Sequence, residues 1–381
     1  MVHETSNAGG YSVTAIKQLP IQRLYFEGGF PMYSFKNDYS ESAHPNILKA
    51  IVASGLEQND GYGMDSHCEN AKALIRNAIQ YENADIHFLP GGTIANLTFL
   101  SHSLRPYQAV ISADVGHINI HETGAIEASG HKILDIVTPN GKLTPELIQP
   151  VLDQHQDEHW VQPKIVFISN PTEVGTIYFK AELEALSTYC KENDLLLYLD
   201  GARLAMGLTA RENDITIADL PKLVDAFYIG GTKVGALFGE ALVIINDFLK
   251  KDFRFNMKQR GAISAKGWLL GMQFEELFRD DLYFKLGAHT NKMAYLLKEI
   301  FEDAGFNFIA ETHSNQLFPI LPNWLVHEIS QKYITSIWSK PDSEHTCIRF
   351  CTSWATKEED IRSFIEDFTK IINQHNSCSS D

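Results

Sequence analysis

The chain has 381 residues, 44% of them apolar and 21% charged, a composition that fits a globular protein with at least one sizeable core and excludes intrinsic disorder. Acidic residues outnumber basic ones by 48 to 32, and the net charge of -16 has the wrong sign for tracking nucleic-acid phosphates or binding an anionic membrane. No apolar run reaches the roughly 18 residues that a membrane-spanning helix needs.

The opening residues Met1–Ser6 lack the basic-then-apolar pattern of a signal peptide. Five cysteines, Cys68, Cys190, Cys347, Cys351 and Cys378, form neither a CxxC pair nor a disulfide framework. A cytoplasmic chain with reduced thiols is expected. Residues 1–45 carry many turn formers and no clean period, and read as an extended N-terminal arm.

From residue 46 to about 280 short apolar runs alternate with helical stretches. The strand-like runs are Asp85–Leu89, Ala109–Ser112, Lys132–Val137, Lys164–Ser169, Leu195–Asp200, Ala226–Ile229 and Ala241–Ile245. Segments such as Glu182–Asn193 put Leu183, Leu186, Tyr189 and Cys190 on one helical face. This alternation predicts an α/β fold with a mostly parallel sheet covered on both faces by helices. Two long amphipathic helices, Lys258–Phe278 and Tyr283–Phe301, follow with a break at Asp280-Asp281. The runs Leu317–Leu321 and Thr346–Cys351 and the helical Lys357–Asn373 predict a smaller α+β domain over residues 281–381.

Ligands of open α/β sheets gather outside the carboxyl ends of the strands, and four motifs fall at such ends. Gly91-Gly92-Thr93 precedes the helix Ile94–Leu100; it reads as a phosphate cradle on free helix N–H groups or as a plain strand–helix turn. Asp200 closes the most apolar strand, followed by Arg203. These two make a structural ion pair, or an acid for a heterocyclic nitrogen beside an arginine for a substrate carboxylate. Lys233 sits in the small-residue turn Gly230-Gly231-Thr232-Lys233, as an exposed turn lysine or a desolvated Schiff-base nucleophile. His117 and His121, like His155 and His159, are four apart, spaced to ligate a metal if helical, yet there is no HExxH; an imidazole can also stack on a planar cofactor.

Together a phosphate cradle, an imidazole, an acid and a lysine, each after a strand, form the parts list of a pyridoxal-phosphate enzyme. The chain resembles the threonine aldolases, the β-eliminating-lyase branch of fold-type I pyridoxal-phosphate enzymes, and most closely the low-specificity type. Its landmarks run from Phe35–Ser40 through Tyr62–Asp65, Gly91-Gly92-Thr93, Gly116-His117, Asn140–Pro145, Thr172–Thr176, Asp200–Arg203, Gly231–Lys233 and Lys258–Gly261 to Arg349–Trp354.

The resemblance implies that Lys233 carries pyridoxal 5'-phosphate, Asp200 partners its ring nitrogen, His117 stacks on the ring, and Gly92 and Thr93 bind its phosphate. Arg203 and Arg349 match the arginines that hold the substrate carboxylate, and His159 matches a histidine near the substrate hydroxyl. Tyr62 matches a residue lent to a neighbouring subunit, implying a homodimer or homotetramer with shared sites. Family members often carry a serine beside the N-terminal aspartate; here Lys36-Asn37-Asp38 stands there, with Asn37 as the substitute for that contact. The expected reaction is retro-aldol cleavage of threonine or allo-threonine to glycine and acetaldehyde, with His159 or His117 as base. No metal is expected. The alternatives are another pyridoxal-phosphate chemistry on this fold, a metal hydrolase built on the four histidines, and a cofactor-free scaffold.

Overall fold

The computed structural model describes residues 33–378, so most of the arm expected over residues 1–45 lies outside the described residues. In chain order the strands are β1 Tyr33–Ser34, β2 Asp85–Leu89, β3 Gln108–Ala113, β4 Lys132–Ile136, β5 Gln162–Ser169, β6 Leu196–Asp200, β7 Ala226–Gly230 and β8 Glu240–Ile244. They continue as β9 Gln316–Leu317, β10 Ile320–Pro322, β11 Tyr333–Ile334, β12 Ser336–Ser339 and β13 His345–Cys351.

The central sheet has the order β2-β8-β7-β6-β5-β3-β4. Only β8 runs against its neighbours β2 and β7; every other pair is parallel. Strands β3, β7 and β8 are buried along their whole length, which is why they read as mainly apolar runs rather than alternating ones. Alternate residues feed two cores. Val166, Leu197, Leu199, Phe227 and Val243 pack on one face, and Ile165, Phe167, Tyr198, Tyr228 and Leu242 on the other.

The parallel strands β2, β3, β5, β6 and β7 all end at the same edge, and antiparallel β8 begins there. Register makes this concrete: Glu240, the first residue of β8, lies opposite Leu89 at the end of β2 and Gly230 at the end of β7. Glycine is required where β6 and β7 leave the sheet. A Cβ on Gly201 would run into the Tyr228 carbonyl, and one on Gly230 into the Ala202 carbonyl.

The helix expected over Lys258–Phe278 is two helices, Phe253–Gln259 and Trp268–Phe278. The apolar period runs on through the gap, but Gly261 takes φ +74°, which ends the first helix. Asp280 and Asp281, both at positive φ, make the expected break before the helix Leu282–Asp303. That helix crosses between two cores: Tyr283 and Leu286 pack with the central sheet, while Met293, Leu297 and Phe301 pack with the C-terminal strands.

There β10, β13 and β12 form an antiparallel sheet, with β9 also pairing β13. Strand β1 pairs in parallel with β11, and Phe35 is buried in the same cluster, so the segment before residue 40 packs with the C-terminal part. The helix Glu358–Cys378 closes this second core. Among the described residues no helix is long and apolar enough to cross a membrane, and Cys68, Cys190, Cys347 and Cys351 are free and buried.

Candidate active site

At the carboxyl edge of the central sheet lies a cavity of about 530 Å3 whose lining includes Gly91, Gly92, Thr93, His117, Arg203, Lys233 and Arg349. The structure thus brings together residues spread over more than 250 positions of sequence. Asp200 lies directly beneath this edge, buried at the end of β6.

The helix Gly92–Ser103 opens on Gly91 with no side-chain cap, so the N–H groups of its first turn are left for a ligand. Thr93 is exposed there, whereas a Cβ on Gly92 would press against the Tyr228 hydroxyl at 3.1 Å. An uncapped helix start opening into a cavity is suited to a phosphate.

Lys233 follows β7 in a turn clamped to the next strand: the Gly231 and Thr232 N–H groups both donate to the Gly239 carbonyl. Among the described residues no hydrogen bond or ion pair holds its amine. Burial, and then the charge of Arg203, lower the Lys233 pKa. A larger share of neutral amine makes a better nucleophile.

Asp200 is not paired with Arg203. Its Oδ1 accepts from the Tyr228 hydroxyl at 2.5 Å and the Ala202 N–H at 3.0 Å, and its Oδ2 from Asn96 Nδ2 at 3.1 Å. Arg203 pairs instead with Asp38, through Nε at 2.7 Å and Nη2 at 3.0 Å, and Asn315 adds a third donor to that carboxylate. Burial alone would raise the Asp38 pKa, but the charges of Arg203 and Lys233 bring it down to about 2.

His117 starts the short helix His117–Ile120, and its Nδ1 lies 2.8 Å from Glu122 Oε1. Burial acts to lower its pKa, but the Glu122 hydrogen bond and the charge of Asp200 prevail and raise it. Asn96 Nδ2 also donates to Glu122, at 2.8 Å, so one buried amide joins the acid behind His117 to Asp200.

Arg349, from β13, enters from the other side. Its Nη2 donates to the Lys36 carbonyl at 3.2 Å, and its buried Nε has no partner among the described residues. Trp338 stands at the irregular point of the β12–β13 pairing and lines the cavity beside His121.

Three expected site residues lie outside this cavity. His159 is exposed on the turn after the helix Pro145–Gln154, and its N–H donates to Asp157 Oδ1. Asn37 spends its side-chain carbonyl on its own turn, accepting from the Tyr39 N–H at 3.0 Å and the Ser40 hydroxyl at 2.9 Å, which leaves Tyr39 in the cavity wall. Tyr62 is 48% exposed, with Lys258 Nζ 4.6 Å from its ring centre. His155 is tied to the Val151 carbonyl, and among the described residues no group of three or more His, Cys, Asp or Glu stands where a metal ion would be held.

Glu173 and Glu240 line the cavity and were not expected there as site residues. Glu173 sits inside the Thr172–Thr176 motif, just past a strand end. Glu240 is the charge that opens a wholly apolar strand, and that interruption is its sequence signal. Thr232 and the Gly231 N–H donate to its carboxylate, yet burial pushes its pKa up to about 7.

Comparison with known proteins adds the last observations. The family model described as "Beta-eliminating lyase" matches residues 41–321. A curated low specificity L-threonine aldolase of Pseudomonas aeruginosa is 29% identical over 345 residues, covering 89% of this chain and 97% of that protein. A solved Leishmania major threonine aldolase structure is 49% identical with a TM-score of 0.88, covering 89% of this chain and 99% of that one. The Thermus thermophilus aspartate aminotransferase, 15% identical with a TM-score of 0.67 and covering 89% of this chain and 91% of that one, shares the fold, that of the fold-type I pyridoxal-phosphate enzymes. The free lysine at the sheet edge, the uncapped helix start and the match over most of the chain lead to one conclusion: the chain belongs to the beta-eliminating lyase family.

Proposed function

We propose that this protein is a pyridoxal-phosphate-dependent threonine aldolase, a lyase that cleaves threonine or allo-threonine to glycine and acetaldehyde. The observation that carries the reading is the Lys233 amine, held by no other group and facing the same cavity as an uncapped helix N-terminus and two arginines. The likeness to threonine aldolases over nine-tenths of the chain supports the choice of reaction.

The residues present fit the cofactor. The first-turn N–H groups and Thr93 would take its phosphate, Lys233 its aldehyde and Asp200 its ring nitrogen, and His117 would lie against its ring. Bound there, pyridoxal phosphate supplies an electron sink for the pair released when Cα–Cβ breaks.

The chain's own residues do the rest. Tyr228, Asn96 and the Ala202 N–H hold the Asp200 carboxylate in one orientation, so it would meet the ring nitrogen without reorganising. Lys233, whose pKa burial and the Arg203 charge lower, would be the amine that bonds the cofactor aldehyde and gives way to the substrate amine. Arg349 would fix the substrate carboxylate, with Arg203, held by Asp38, lining the cavity beside it, and so would help select which bond at Cα breaks. His117 has Nδ1 committed to Glu122, which leaves Nε2 to hold or move a proton.

We extend the reading to the assembly. Tyr62, half exposed and outside the lining of its own cavity, serves the site of a second copy in a homodimer or homotetramer. A cytoplasmic location agrees with the free, buried cysteines.

The test is an absorbance spectrum of the purified protein before and after allo-threonine, with glycine and acetaldehyde measured as products. A chromophore that responds and releases both supports the reading. Ammonia and a keto acid from serine point to β-elimination, amino transfer to an added keto acid points to an aminotransferase, and a colourless protein with bound transition metal ends the proposal.

A further inference from the structure

We propose that Glu173 is the base that takes the β-hydroxyl proton of the substrate. The proposal rests on the aldolase reading and deepens it by naming a proton acceptor within the cavity.

Five carboxylates surround the cavity, and their oxygens are committed in different ways. Both oxygens of Asp200 accept hydrogen bonds, from Tyr228, Ala202 and Asn96. Both oxygens of Asp38 face Arg203. Those of Glu240 are taken by Thr232 and the Gly231 N–H. Glu122 accepts two bonds on Oε1, and its Oε2 is sealed from solvent.

Glu173 differs from all four. Its Oε1 accepts both of its bonds, from the Ser169 hydroxyl at 2.7 Å and the His117 N–H at 3.0 Å. Among the described residues no other residue bonds Oε2, which is not among the sealed atoms, and the side chain lines the cavity with Lys233, His117 and Arg203. One oxygen is anchored and the other stays open, as a general base requires. Burial, reinforced by the charge of Asp200, raises the Glu173 pKa from its ordinary value, which strengthens it as a proton acceptor.

In the step, the hydroxyl proton passes to Oε2 as the Cβ–O bond becomes a carbonyl and Cα–Cβ breaks, its electron pair going to the cofactor. Uptake of a proton at Cα, with Glu173 giving up the one it received, leaves glycine, the aldehyde and an unchanged enzyme.

Because both anchoring donors reach the same oxygen, Glu173→Gln separates anchoring from chemistry: the amide oxygen can accept both bonds, and only the proton-accepting oxygen is lost. The holoenzyme variant should keep its cofactor absorbance and melting temperature. Its kcat for allo-threonine cleavage should fall by about a hundredfold or more, with KM little changed. Exchange of the glycine Cα proton in D2O, which uses the cofactor, Lys233 and the carboxylate clamp but no hydroxyl, should stay near the wild-type rate.

Cleavage by Glu173→Gln at near the wild-type rate overturns the proposal alone, as does an equal loss of glycine exchange. Wild-type protein that exchanges glycine protons yet cleaves no β-hydroxy amino acid overturns the aldolase reading itself. Should Glu173→Gln fail to load cofactor, Glu173→Ala is assayed with and without formate: recovery with formate supports the proposal and its absence overturns it.

Discussion

Along the sheet-edge wall of the cavity most polar atoms already have partners. Asp200 accepts three hydrogen bonds, Arg203 is locked to Asp38 at two points, and His117 is tied to Glu122. On the facing wall, from β12 and β13, Arg349 has one bond to a carbonyl and an unpartnered Nε. The contrast separates pre-organisation from recruitment. Groups that must be fixed before substrate arrives are held by buried partners. On the aldolase reading, the arginine with spare donors is the one left to close on an incoming carboxylate. Two arginines that look equivalent in sequence therefore do different work: Arg203 arrives already neutralised, and Arg349 does not.

Substitutions can break that contrast, and the largest effect belongs to Lys233. In Lys233→Ala, borohydride should no longer fix cofactor to the protein, and cleavage should be lost. Covalent labelling that persists would show that another lysine does this work.

Asp38→Ala should rank next. It strands the Arg203 guanidinium in a largely buried site and should cost about 3–5 kcal/mol of unfolding free energy in a urea titration. A loss below about 1 kcal/mol, the scale of a surface pair, would mean that Arg203 is not locked as described.

Arg349→Ala should be milder for the fold and costly for the reaction. The expected loss in kcat/KM is about 2–4 kcal/mol, with cofactor still bound and the unfolding midpoint nearly unchanged. Unchanged kcat/KM would remove Arg349 from the substrate clamp.

The smallest effect is a titration. The Glu122 hydrogen bond heads the influences that raise the His117 pKa against burial. Glu122→Gln removes its charge, so the folded-state pKa should fall and the imidazole should lose its proton at lower pH. Histidine NMR titration reads this directly, and a midpoint that stays or rises would show that Glu122 is not what raises it.

The sheet was legible because its strands are short, mostly apolar and separated by turns; the run Asp85–Leu89 coincides with β2. The lysine, the acid and the glycine turn were legible because each follows such a strand. Partnerships were not. Asp38 and Arg203 lie 165 positions apart, and nothing local to either marks the other as its counter-ion. The nearby Asp200 was the natural candidate, but three other donors already occupy it. The helix break at Gly261 was hidden by an apolar period that continues into Trp268–Phe278. The exposure of His159 was not legible either, since nothing in Asp157–Trp160 marks which way that turn faces.

The stretch from Tyr33 to Asp38 works as a tether with two knots. One is the β1–β11 pairing with Phe35 sunk in the C-terminal core; the other is the carboxylate gripping Arg203. An engineer shortening this protein, or fusing a tag to its front, therefore has a sharp limit. Cuts ahead of residue 33 leave both knots tied, whereas a cut a few residues later, though distant in sequence from Lys233, removes the counter-ion of an arginine that lines the cavity.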